Sequence, residues 1–205
     1  RDLHSFPTRR SSDLVGGCLA VRSAFVADYQ SVLIFVLISA VFDFLDGFAA
    51  RLLRAYSPLG KELDSLADVV SFGLAPSMVA VSLLTDSIGN YGYVGMLIVA
   101  FSALRLARFN IDDRQTSSFI GMPTPANAIL WSGLGFTYHR FLSDNVAITL
   151  VLVATTSYLL ISSLPMFSLK FKDFGIRSNK WQYILIVSTI ILLIVLKYSV
   201  FVSPT

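Results

Sequence analysis

The chain has 205 residues, of which 55% are hydrophobic and only 14% charged, with a mean hydropathy of +0.70. Soluble domains carry about 25% charged residues, so the balance excludes an ordinary soluble globule and points to an integral membrane protein. Cys18 is the only cysteine, and His4 and His139 are the only histidines, which excludes an intramolecular disulfide and a cysteine cluster and leaves metal chemistry to the carboxylates.

Residues Arg1 to Leu14 (RDLHSFPTRRSSDL) are polar, lack the apolar run of a signal peptide and do not continue the pattern that follows. They read as a foreign leader, similar to translated adapter sequence, so the expectation is a leader over 1–14 and a membrane domain over 15–205. Seven apolar segments follow at 15–27, 31–53, 63–84, 91–110, 123–142, 146–166 and 181–202. The first is short and is expected to be the remnant of a truncated helix. The others approach the ~20 residues that cross about 30 Å of hydrocarbon. Turn residues separate them: Ser57-Pro58 with Gly60, Gly89-Asn90, Pro123 with Pro125, and Asp144-Asn145.

If every segment spans, one side of the membrane receives Arg51, Arg54, Lys61, Arg105, Arg108, Arg114, Lys170, Lys172, Arg177 and Lys180, and the other only Arg22, Arg140 and Lys197. This bias predicts a multi-pass protein of the cytoplasmic membrane with those basic regions in the cytoplasm. The net charge of +3 then reflects topology and gives no nucleic-acid footprint.

The stretch from Asp43 to Asp68, DFLDGFAARLLRAYSPLGKELDSLAD, carries four aspartates. On a helix, Asp43, Asp46, Gly47, Ala50 and Arg51 share one face, and Asp64 and Asp68, four apart, share a face of the next. The Ser57–Gly60 turn makes the two helices antiparallel neighbours, so the four carboxylates can converge. Each aspartate at mid-bilayer costs about 2.5–3.5 kcal/mol. Arg51 alone cannot neutralise four of them, and Mg²⁺ or Mn²⁺ in a two-metal site is the natural counter-charge. Such a pair suits phosphoryl transfer, because it can hold a pyrophosphate and stabilise the departing phosphate. Gly47, Ala50 and Gly60 leave room for a nucleotide, and Arg51 can pair with a phosphate. A carboxylate relay in a cation or proton transporter is the alternative from another class.

The pattern Asp43-x-x-Asp46-Gly47-x-x-Ala50-Arg51, eight residues, Gly60-x-x-x-Asp64-x-x-x-Asp68 resembles the full motif of the CDP-alcohol phosphotransferases. The resemblance implies an all-α membrane fold, a six-helix core to which segment 181–202 adds a C-terminal helix, and a homodimer. It also implies transfer of a phosphatidyl group from a CDP-linked lipid to an alcohol, with release of CMP. Carried over, Asp43, Asp46 and Asp64 are metal ligands, and Asp68 is the general base and a further metal contact. Asp43, Asp46, Gly47, Ala50, Arg51 and Gly60 line the CDP site.

Further on, Ala103–Asn110 (ALRLARFN), Phe119–Ala126 (FIGMPTPA) and Tyr158–Lys170 resemble the phosphatidylserine synthase branch. That implies CDP-diacylglycerol and L-serine as substrates. Arg105 and Arg108 could pair with the serine carboxylate, and Asn110 could add a hydrogen bond. The plainer reading makes these arginines positive-inside anchors. Glycerol 3-phosphate, inositol phosphate and choline are the alternative acceptors. His139 and Arg140 fall at the opposite membrane face, where an interfacial role is expected.

Overall fold

The computed structural model describes residues 12–52, 58–111 and 121–163, all within one compact unit. All regular structure among them is helical: α1 (Ser12–Phe25), α2 (Tyr29–Leu52), α3 (Pro58–Asp68), a π-helical turn (Val69–Leu74), α4 (Ala75–Ile88), a 3₁₀ stretch (Gly89–Met96), α5 (Leu97–Ile111), α6 (Thr124–Asp144) and α7 (Val146–Ile161). Two stretches, Tyr29–Phe48 and Glu62–Ile111, are long and apolar enough to cross a membrane, and α7 is a shorter apolar helix. Segment 181–202 lies outside the described residues, as do the basic clusters at Arg114 and Lys170–Lys180, the first two residues of FIGMPTPA and residues 164–170 of the Tyr158–Lys170 motif.

The expected breaks at Gly89-Asn90, Pro123 and Asn145 appear, with shifts of a few residues, while Ser57 lies outside the described residues. Asp28 ends the turn after α1, and its carboxylate accepts the backbone N–H of Ser31 at 3.1 Å, as an N-cap of α2 does. That bond and one from the Ser31 side chain hold its pKa below the usual carboxylate range. The apolar run 62–111 folds back on itself at Gly89, whose φ of +57° lies in the left-handed region. There the 3₁₀ stretch lies against α4 so closely that a Cβ on Gly92 would stand 2.6 Å from the Thr85 nitrogen. The expected start of segment 1 at residue 15 moves outward, because α1 begins at Ser12.

The core is built from α1, α2, the π turn, α4, α5, α6 and α7. Trp131, Phe72, Leu83, Leu84, Ile98, Val32, Val36, Val79 and Val153 are buried. Trp131 Nε1 donates to Thr156 Oγ1 at 3.2 Å and so ties α6 to α7 within it. Between α1 and the π turn the backbones approach closely: a Cβ on Gly17 would stand 2.7 Å from the Ser71 Cα. We expect Gly17→Ala to lower stability by about 1–3 kcal/mol, read as a lower Tm in detergent. An unchanged Tm would mean that α1 is not held against the π turn.

Candidate active site

Chain direction alternates from rod to rod, so that α1 starts, α2 ends, α3 starts, α5 ends, α6 starts and α7 ends at the same extremity. All four motif aspartates lie there. Asp43 senses the charges of Asp64 and Asp46, and Asp68 those of Asp43 and Asp64, so the two motif halves share one electrostatic field.

Asp68 is placed by a device that spacing does not reveal. It is the last residue of α3, and the helix then widens into the π turn, where the Ala75 N–H bonds to the Val70 carbonyl five residues back. Beyond the π turn the rod continues as α4, whose Met78 and Val79 are buried in the core. Asp68 Oδ1 is buried with no hydrogen-bond partner among the described residues.

Gly47 is exposed, and nothing lies within 4 Å of where its Cβ would be. Packing does not require a glycine there. Gly60 is buried at the start of α3. Ala50 and Arg51 belong to α2, and their side chains lie outside the described ones.

The three tentative acceptor residues separate. Arg105 is 9% exposed, its Nε has no partner among the described residues, and its charge acts on Asp68. Arg108 is exposed, and its Nη1 donates to the Ile161 carbonyl at 3.4 Å, at the end of α7. Asn110 Nδ2 donates to Ser65 Oγ at 2.8 Å and so fastens α5 to α3. Only Arg105 stands by the carboxylates with a donor to offer.

Two features lay outside the sequence reading. Asp13, inside the expected leader, is buried at 3% exposure, and its charge acts on Asp43 and Asp68. Its backbone carbonyl accepts hydrogen bonds from Ser39 and Ser71. Ser102, Asn127 and Ser157 are also buried with side-chain atoms that have no partner among the described residues. Polar residues inside apolar segments were legible in the sequence, but their lack of partners was not.

His139 does lie at the far end, where its ring stacks on Tyr29 with centroids 5.4 Å apart. A cavity of about 430 Å³ there is lined by Tyr29, Asp86, His139, Arg140 and Asp144 among others. It is remote from the aspartates, and we do not assign the chemistry to it.

As oriented, no three Asp, Glu, His or Cys side chains among the described residues are grouped closely enough to hold a metal ion. The hard oxygen donors of the four aspartates, gathered at one end of the bundle, are of the kind a divalent cation takes.

Comparison with known proteins gives relatives of one name. The chain is 35% identical over 173 residues to the CDP-diacylglycerol–serine O-phosphatidyltransferase of Bacillus subtilis, covering 83% of this chain and 94% of that protein. It is 46% identical over 118 residues to the protein of the same name from Helicobacter pylori, covering 55% of this chain and 50% of the relative. A Methanocaldococcus jannaschii protein, again of that name, is 38% identical over 117 residues, covering 57% and 56%. The chain thus spans nearly all of the first relative and about half the length of the other two. The family model for CDP-alcohol phosphatidyltransferases matches residues 15–203, and by this match the chain belongs to the CDP-alcohol phosphatidyltransferase family.

Proposed function

We propose that this chain transfers the phosphatidyl group of CDP-diacylglycerol to the hydroxyl of L-serine, giving phosphatidylserine and CMP. The observation that carries the reading is that the motif aspartates lie at one end of the bundle, where the buried Asp68 Oδ1 has no hydrogen-bond partner among the described residues and the charge of Arg105 acts on it. The names of the relatives support the acceptor. A carboxylate relay would leave unexplained both the open face at Gly47 and the family match.

The roles follow from position. Asp68 accepts the proton of the serine hydroxyl as its oxygen attacks the lipid-side phosphorus. The bond from that phosphorus to the bridging oxygen breaks, and CMP leaves. Arg105 receives the serine carboxylate through charge-assisted hydrogen bonds. Gly47 leaves α2 open to the nucleotide, with Gly60 across the hairpin and Arg51 for a phosphate. Divalent cations held by Asp43, Asp46 and Asp64, with Asp68 at the edge of the set, would supply positive charge to the pyrophosphate and the departing CMP.

In the same reading the protein is multi-pass, with the aspartate end facing the cytoplasm, and forms a homodimer around a six-helix core with one further helix. The basic residues beside the aspartate end support that orientation. Residues 1–14 are foreign to the enzyme, a boundary supported by the start of the family match at residue 15.

CMP release from the purified protein tests the reaction, with CDP-diacylglycerol, Mg²⁺ or Mn²⁺, and serine compared against glycerol 3-phosphate, inositol phosphate and choline. Serine-dependent release that a chelator abolishes is the expected result. Release driven by another acceptor would move the assignment elsewhere in the family.

A further inference from the structure

The register of α5 against its neighbours brings several unpartnered polar groups to one depth. The Asn110–Ser65 hydrogen bond and the close approach of Ser102 to Gly73 agree on one antiparallel register between α5 and the α3–π rod. It sets Arg105 level with Val70, two residues or about 3 Å along the axis from Asp68. Chain direction makes α5 parallel to α7, and the reach of the Arg108 side chain to the Ile161 carbonyl brings Arg105 within about one turn of Tyr158 and Ser157. The Trp131–Thr156 bond then sets Asn127, one turn earlier on α6, opposite Leu160. That is three residues, or about 4.5 Å, from Ser157. Asp68, Arg105, Ser157 and Asn127, which belong to four different rods, thus lie within roughly one helical turn of each other in depth.

Each of these groups has a buried atom without a partner among the described residues: Asp68 Oδ1, Arg105 Nε, Ser157 Oγ, and both Oδ1 and Nδ2 of Asn127. Asn127 is 0% and Ser157 3% exposed. Native interiors leave few such atoms, because each costs free energy. Such atoms at the depth of the catalytic carboxylate are a set of donors and acceptors of the kind that one small polar molecule would satisfy.

We propose that Asn127 and Ser157 complete the acceptor pocket behind Asp68 and Arg105, where they receive the ammonium group of an amino-acid acceptor. This rests on the reaction proposed above and deepens it. The groups match serine one by one: Arg105 donates to the carboxylate, Asp68 accepts from the hydroxyl, and Asn127 Oδ1 and Ser157 Oγ accept from the ammonium. An alcohol without the amino group would leave the last two unpaired, which is how a buried polar site discriminates.

The test is steady-state kinetics of the full chain with serine, together with the inhibition constant of 3-hydroxypropionate, which keeps the hydroxyl and carboxylate but lacks the amine. Asn127→Ala is expected to lower kcat/KM for serine by about 10–100-fold, mainly through KM, and to leave 3-hydroxypropionate inhibition unchanged. Ser157→Ala acts in the same direction to a smaller extent. The Tm of the ligand-free protein stays level or rises, because the substitution removes a buried group that had no partner. An equal loss for both ligands, or a lower Tm, would overturn the assignment by making Asn127 a packing residue. Calorimetry with serine separates the two readings. A wild type that binds serine through Asn127 without turning it over sinks the reaction alone, whereas turnover with full serine affinity in Asn127→Ala sinks the pocket alone.

Discussion

Asp68→Asn is expected to lower kcat by about 10²–10⁴-fold, the range a positioned general base contributes. Asparagine keeps the shape of the side chain but loses its charge and its capacity to take a proton, so the fold and the CDP-lipid KM should change little. Asp68 sits where α3 passes into the π turn, with one oxygen unpaired and Arg105 close by. A variant that kept full turnover with serine would remove the base from Asp68 and send the search to Asp64. The comparison of the two variants is informative because Asp68 stands at the edge of the metal set: its loss should fall on kcat much more than on the metal concentration required.

Asp64→Asn and chelation should each remove about 4 kcal/mol of transition-state stabilisation, roughly 10³-fold in rate. The reason is charge. Asp43, Asp46, Asp64 and Asp68 act on one another across the α2–α3 hairpin, and hard divalent cations are the counter-charge their oxygens suit. Rate measured against Mn²⁺ concentration should show a raised midpoint for Asp64→Asn, with partial recovery at high metal. A rate insensitive to chelators in the unmodified chain would refute the metal role of all four aspartates together.

The two variants also bear on Asp13. It adds a negative charge near the site from a position before the start of the family match at residue 15. The helix reaches back to it because α1 needs only helix-forming residues and a buried face to continue through Ser12, and sequence character alone did not locate that end.

Amino-acid order alone determined a good deal of this protein. The paucity of charge in long apolar blocks requires helices that satisfy their own backbone groups, and helices are what the described residues form. The i, i+3, i+4 placement of Asp43, Asp46 and Gly47, and the i, i+4 placement of Asp64 and Asp68, were legible because helical periodicity is local. The family motif was legible for the same reason.

Tertiary structure decided what depends on neighbours far along the chain. Arg105, Arg108 and Asn110 looked equivalent in sequence, yet Asn110 is bonded to Ser65, Arg108 reaches the end of α7, and Arg105 stays buried by Asp68. The π turn after Asp68 depends on packing against α1 and α5, which no local propensity encodes. Asn127 and Ser157 read as scattered polar residues in apolar helices until the register of α5, α6 and α7 set them at the depth of Arg105. Periodicity says which face of a helix a residue occupies; only the contacts between helices set its depth and its partners.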